Sequence, residues 1–148
     1  MKISAKGRYG LAAMTNLAAN YAAGTPVTII SISDRLGISK IYLEQVFSLL
    51  KRSRLVLSLK GSQGGYQLAR PPKEITAYDV LSAIELSLVE KTGNSTTGKV
   101  PALEQALAAC VYDRLDESIA RTLRAVTLAD ILTETEKQKE PEQMMYFI

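Results

Sequence analysis

The sequence predicts a mainly α fold with a small β-hairpin. Three observations predict it. Apolar residues recur at three- and four-residue spacing over most of the chain, one β-prone stretch is broken by a glycine-rich turn, and a stripe at spacing four runs from Leu103 to Leu123.

The first helix is expected from about Arg8 to Ala23, where Leu11, Met14, Leu17, Ala18 and Tyr21 form one stripe before the stop signal Gly24-Thr25-Pro26. Thr28 is placed to cap a short second helix in which Ile32 and Leu36 share a face, and Gly37 follows where a left-handed residue is wanted. Ser39 then caps a third helix running to about Arg54. Leu43, Val46, Phe47 and Leu50 lie on one side of it, with Ile41, Gln45, Ser48 and Arg52 opposite. Two short helices joined at Gly37-Ile38-Ser39 read as a helix-turn-helix or, on this segment alone, as an ordinary helical hairpin.

The next segment favours the first reading. Leu55 to Leu59 is β-prone, Lys60-Gly61-Ser62-Gln63-Gly64-Gly65 is turn, and Tyr66 to Ala69 returns as a strand. The glycines supply positive φ and let the backbone approach another surface closely. A hairpin directly behind such a helix is the wing of a winged helix-turn-helix, and Pro71-Pro72 closes it.

Thr76 is placed to cap a fourth helix with Val80, Leu81, Ile84 and Leu88 inward, and Thr92 to Gly98 has the composition of a flexible loop. A long helix is expected from about Ala102 to Ala125, roughly 35 Å at the standard rise. Leu103, Leu107, Val111, Leu115, Ile119 and Leu123 stripe it, with Ala106, Cys110 and Val126 beside them. So small a winged domain has little surface to cover that stripe, so a homodimer paired along this helix is expected. Thr127 caps a last short helix, and a charged tail runs to Ile148. The expected organisation is a DNA-binding domain over 1–73, a helical dimerisation region over 74–137 and a tail over 138–148.

Charge points to a polyanionic partner. Residues 1–73 hold eleven Lys or Arg against two acids, Asp34 and Glu44, a net of +9; residues 74–148 hold seven against thirteen, a net of −6. One basic half and one acidic half suit a molecule that offers a single face to nucleic acid. No run approaches the ~18 apolar residues of a membrane span, no membrane partner is expected, and a cytoplasmic protein is.

Enzyme readings are excluded on residue types. The chain has no histidine and one cysteine, Cys110. A Ser-His or Cys-His nucleophile is impossible, and neither a metal site nor any cofactor is expected. Gly61-Ser62-Gln63-Gly64-Gly65 matches neither the phosphate-loop nor the dinucleotide pattern. The acids of the second half read as solvated helix faces. Cys110 reads as a small buried hydrophobe or as a redox switch.

The DNA-binding parts match one another. Lys6 and Arg8 place charge at the start of the first helix, Lys40, Lys51, Arg52 and Arg54 flank or lie on the third, and Lys60 marks the wing. Such cations neutralise phosphates without reading sequence. For Lys51 and Arg54 a solvated surface charge is the alternative. Base reading is expected from Gln45, which bonds adenine bidentately, from Ser39, and from Ile41 or Tyr42 against a thymine methyl. Tyr42 has a second reading, a contact with the first helix.

Lys6-Gly7-Arg8-Tyr9, Ile38-Ser39 with Tyr42-Leu43-Glu44-Gln45, Gly64-Gly65-Tyr66, Ile75-Thr76-Ala77 and Thr127-Leu128 together resemble the Rrf2 family of bacterial winged helix-turn-helix regulators. The resemblance covers nearly the whole chain. It implies a dimer that reads pseudo-palindromic double-stranded DNA operators, with Tyr9 in the binding set, Ser39, Tyr42, Glu44 and Gln45 at the major groove, and Lys60-Gly61 at the minor groove. Many members hold an iron–sulfur cluster through three cysteines in the loop before the long helix. Here that loop, Lys91 to Pro101, has none, and Gln105 stands where some members add a histidine. Lys60 replaces a common Arg and Arg54 a usual Gly. The chain therefore resembles the cluster-free branch that includes the cysteine metabolism repressor, which implies a repressor of cysteine or sulfur genes. A related regulator of another stress or metabolic pathway is the nearest alternative. That repressor works with cysteine synthase, whose active site captures tails ending in isoleucine. Tyr146, Phe147 and Ile148 are thus expected either to dock there, the chain then serving chiefly as an interaction adaptor, or to fold back on the dimer or stay disordered.

Overall fold

The computed structural model describes residues 3–61 and 64–145, with 140–145 as backbone only. Ser62 and Gln63 of the expected turn and the expected partner-binding residues Tyr146, Phe147 and Ile148 lie outside the described residues. The helices are α1 (Ala5–Ala19), α2 (Ile29–Leu36), α3 (Lys40–Arg52), α4 (Ala77–Ile84), α5 (Leu86–Val89), α6 (Pro101–Leu107), α7 (Asp113–Arg124) and α8 (Leu128–Met145). The strands β1 (Val56–Leu59) and β2 (Gly65–Leu68) form an antiparallel hairpin between α3 and α4. The fold is the mainly helical, hairpin-bearing one expected.

Side-chain caps set most boundaries. Thr28 Oγ1 accepts the Ser31 N–H at 3.1 Å to start α2, and Gly37 at φ +70° ends it in the left-handed region. Ser39 Oγ accepts the Tyr42 N–H at 3.2 Å to start α3. Arg54 stands at φ +61°, so α3 stops at Arg52 and the chain reverses into β1. Helix α1 begins earlier than its apolar periodicity, because Ser4 Oγ accepts the Gly7 N–H at 3.1 Å. It also ends earlier, at Ala19, which leaves Tyr21 in the following turn and 39% exposed rather than on a buried stripe.

One core unites both halves of the sequence. Met14 and Leu17 of α1 meet Leu43, Val46, Phe47 and Leu50 of α3, with Ile32, Val56, Leu68, Ile75, Val80 and Leu128 around them. The Phe47 and Tyr66 rings lie 4.5 Å apart between centroids, which fixes the wing on α3. At Gly65, φ is +151° and an added Cβ would lie 2.6 Å from the Val27 carbonyl oxygen. Only glycine lets β2 come close enough for Tyr66 to exchange both backbone hydrogen bonds with Val27, at 2.8 and 2.9 Å. The Arg70 guanidinium bonds the Glu74 carbonyl at 3.1 Å and Asp79 at 3.2 Å, joining the base of the wing to the capping box of Thr76 and Asp79.

Helix α4 stops at Ile84 rather than continuing to Leu88. Glu85 leaves the helix, and its Oε1 accepts the Ser4 N–H at 2.6 Å, so the end of α4 caps the start of α1. The long helix is continuous through α6, a π turn at Ala108–Tyr112 and α7. The π turn inserts extra backbone and rotates the faces before and after it relative to each other. Arg124 lies 4.1 Å over the Tyr78 ring, holding α7 against α4. The last helix is longer than expected. A reciprocal cap between Thr127 and Asp130 starts α8, which runs on through the charged segment to Met145. The Leu128 N–H donates to the Ile75 carbonyl at 2.9 Å and pins that start to the core.

Two substitutions test this account. Gly65→Ala is expected to destabilise the fold by about 1–3 kcal/mol, through overpacking against Val27. Arg54→Gly relieves a left-handed arginine and is expected to add up to about 1 kcal/mol. Thermal unfolding of both variants is the check, and an unchanged melting temperature for Gly65→Ala would contradict the close approach.

Candidate nucleic-acid interface

The buried face of α3 determines its outward one. With Leu43, Val46, Phe47 and Leu50 fully enclosed, Ile41 is 70% and Tyr42 37% exposed, and Glu44, Gln45 and Ser48 are exposed beside them. Lys6 of α1 joins Ile41, Glu44, Gln45, Ser48 and Leu49 around one open groove of about 530 Å³. The structure shows the second reading of Tyr42, the contact with α1. Its ring meets Tyr9 of α1 edge to face, with centroids 5.2 Å apart at 90°, and keeps an exposed side.

The remaining expected residues surround that groove in sequence but are not all drawn into it. Arg8 is exposed on α1. Ser39 is exposed, and its hydroxyl oxygen is engaged as the α3 cap. Lys40 is exposed and its Nζ lies 4.0 Å from Glu44, a solvated pairing of little strength. Lys51 is exposed in the last turn of α3, Lys60 is exposed just beyond β1, and Gly61 follows at φ +116°. Among the described residues Lys6, Arg8, Lys51 and Lys60 form no ion pair, so their charge remains available to an outside anion. Leu49 was not expected at the groove. It lies four residues from Gln45 on the same helical row, and that spacing is the signal that could have found it.

The loop before the long helix differs from its expected character. Glu104 is buried, not solvated: its carboxylate accepts the Ser95 N–H at 2.9 Å and also the Thr96 N–H. Asp116 accepts the Thr92 N–H at 2.9 Å and its hydroxyl at 2.8 Å. Two acids of the long helix thereby hold a loop whose composition reads as free. The Ser95 backbone donor, helped by the Thr96 donors, holds the Glu104 carboxyl below its ordinary range against the opposing effect of burial. The Thr92 backbone and hydroxyl donors do the same for Asp116, with Lys91 adding its charge. Cys110 is exposed in the π turn, not buried within this chain.

Comparison with known proteins agrees with this fold. The Rrf2 family, described as an iron-dependent transcriptional regulator, matches residues 3–134. The HTH-type transcriptional regulator IscR of Escherichia coli strain K12 / DH10B is 35% identical over 136 residues, 92% of this chain and 83% of that protein. The structure of T. potens IscR matches with a TM-score of 0.75 at 35% identity, over 99% of this chain and 96% of that one. The structure of CymR (YrzC), the global cysteine regulator of B. subtilis, matches with a TM-score of 0.75 at 32% identity, over 90% and 98%.

The donors present do not fit an iron–sulfur cluster. The chain has one cysteine and no histidine. The loop over 91–101 has no thiol, and the nearby Glu104 is committed to loop amides. Among the described residues no three His, Cys, Asp or Glu side chains gather as a metal site would need.

The loop clasp has a pH signature. A carboxyl whose folded pKa is lowered stabilises the fold above its unfolded pKa, about 4.3 for Glu and 3.9 for Asp, and that contribution is lost as pH falls through the folded value. The Ser95, Thr96 and Thr92 amide resonances are therefore expected to shift with midpoints below the ordinary values, about 4.3 for the pair on Glu104 and 3.9 for Thr92 on Asp116. NMR titration checks this, and midpoints at or above the ordinary values would contradict the clasp.

Proposed function

Because this chain belongs to the Rrf2 family of transcriptional regulators, we propose that it is a homodimeric repressor reading a pseudo-palindromic operator in double-stranded DNA. The observation that carries the reading is the outward face of α3, where Gln45, Ser48 and Ile41 stand around a groove flanked by Lys6. Gln45 is the base reader, offering the donor and acceptor that adenine matches in the major groove. Tyr42 and Ile41 supply apolar contact, and Glu44 accepts from cytosine amino groups. Ser39 and Lys40 stand at the front of the helix. Arg8, Tyr9, Lys51, Lys60 and Gly61 hold the phosphate backbone on either side, the wing tip at the minor groove.

Dimerisation follows from the long helix. Leu103 is 49%, Val111 43% and Leu115 58% exposed, an apolar row that a second copy of the same helix would cover. The pairing would bring two α3 helices to successive half-sites.

The target is proposed to be genes of cysteine or sulfur metabolism. The likeness to a global cysteine regulator supports this, as does a donor set without cluster ligands. The expected cysteine synthase partner rests on Tyr146, Phe147 and Ile148, outside the described residues, and the DNA-binding reading stands without it.

Binding to duplex DNA is expected to weaken steeply with salt. Lys51→Ala should weaken it evenly across sequences and lower the salt slope by about 1. Gln45→Ala should relax preference at one base position by about 1–3 kcal/mol while sparing non-specific affinity. Salt-insensitive binding, or a Gln45→Ala variant with unchanged preference, would contradict the reading. Leu115→Glu is expected to convert a sedimenting dimer to a monomer, and an unaltered dimer would contradict the pairing along α7.

A further inference from the structure

A cavity of about 350 Å³ lies away from the proposed DNA contacts, between the end of α1, the turn after it and β2. Its buried lining is apolar, Leu17 and Leu68, and the rest is uncharged, with Asn20, Gln67 and Val27 partly open and Thr25 exposed at the rim. None of its lining residues is charged, within a half of the sequence whose net charge is +9. An ion placed there would lose water without gaining a countercharge, so a neutral occupant is favoured.

The backbone of β2 supplies a specific signal. Tyr66 gives both its backbone groups to Val27, so its N–H and C=O face the outer edge of the hairpin. In an antiparallel ladder the direction alternates: Gln67 faces its partner Leu57 on β1, and Leu68 turns its N–H and C=O back to the outer edge. No strand continues there, because the chain before Val27 is Pro26 and the turn at Gly24. Leu68 is only 4% exposed, and among the described residues its two outward backbone groups have no protein partner. A buried N–H and C=O side by side require satisfaction. They open onto the cavity that Leu68 lines.

We propose that this cavity is a binding site for a small uncharged ligand carrying an amide-like donor–acceptor pair, bonded by the Leu68 N–H and C=O with the Gln67 side chain at its rim. The volume falls at the lower end of small-molecule sites, roughly 300 Å³ upward. The site also adjoins the points from which the wing hangs, the Val27–Tyr66 bridge and the Gln67 side-chain bond to the Gly24 carbonyl. A ligand there bears on the pose of the wing, and through it on DNA affinity; that consequence rests on the proposed function, whereas the site itself does not.

The test is amide NMR of the full chain titrated with benzamide, with benzoate and N,N-dimethylbenzamide as probes lacking, respectively, neutrality and the N–H donor. The expected result is saturable shifts centred on Leu68, Gln67 and Gly24 with benzamide, at least tenfold weaker binding of the other two, loss of binding in Ala22→Leu, which fills the cavity from an exposed turn, and retention in Ala22→Ser. No saturable shift would mean that the cavity holds solvent only, and would overturn the proposal. Equal binding of all three probes would overturn it as well, since an unspecific apolar crevice explains that result. In a parallel arm, saturating benzamide is expected to change duplex-DNA affinity severalfold in the native sequence and not in Ala22→Leu. An unchanged affinity despite binding would end the regulatory claim. Ligand shifts in a chain that binds no DNA at all would end the proposed function and leave the site standing.

Discussion

The packing of α3 on α1 is the constraint on which the rest depends. Phe47, Leu43, Leu50 and Val46 are withdrawn completely from water, each contributing on the order of 1.5–3 kcal/mol. No other rotation of α3 buries this set. Turning the helix by one residue would bury Glu44 and Ser48 and expose Val46 and Leu50 in one sense, or bury Gln45 and expose Phe47 in the other, so the energy that holds the helix also fixes which side chains face outward. The proposed recognition face is thus a by-product of core packing. The outward residues need no support of their own beyond Ser39 at the cap and Tyr9 behind Tyr42.

Helix α1 transmits that order to the second half of the chain. It touches α3, α4, α8 and β2, and its glycines at positions 7 and 10 let α4 come close. Glu85 closes the junction by capping α1 from the end of α4. The wing is held by the Phe47–Tyr66 rings, the Val27 bridge, the Gln67 side-chain bond to the Gly24 carbonyl and the Arg70 guanidinium on Asp79 and the Glu74 carbonyl. The loop over 92–96 is held by two carboxylates of the long helix. A hydrogen-bonded clasp thus ties this loop to the long helix, as the Arg124–Tyr78 contact ties that helix to α4.

Local chemistry made much of this legible. Thr28, Ser39 and Thr76 each announce a helix start through a side-chain oxygen three residues before the amide it accepts, and the structure begins α2, α3 and α4 there. Gly37 and the hairpin glycines were equally readable, because a positive φ leaves few alternatives. The alternation of buried and exposed positions along α3 followed from its apolar spacing. What escaped was set at long range. Nothing near Glu85 in the sequence says that α4 must end to meet Ser4. Glu104 and Asp116 look like solvated charges until the loop folds back on them. Ser4 was passed over because Lys6, Gly7 and Arg8 show no apolar periodicity, although the serine itself is a good cap. The π turn at Ala108–Tyr112 has no local marker, and the exposure of Cys110 follows from it and from the lack of any covering element among the described residues.

The central claim is that two copies of α3 are carried, by core packing and by pairing of the long helices, to matching positions on one duplex. Selection of bound sequences from random double-stranded DNA by the full chain tests it most directly. The account predicts a two-fold symmetric consensus whose half-site centres are a whole number of helical turns apart, about 34–36 Å per turn. Recovery of an asymmetric single site, or no enrichment above the starting pool, would contradict it.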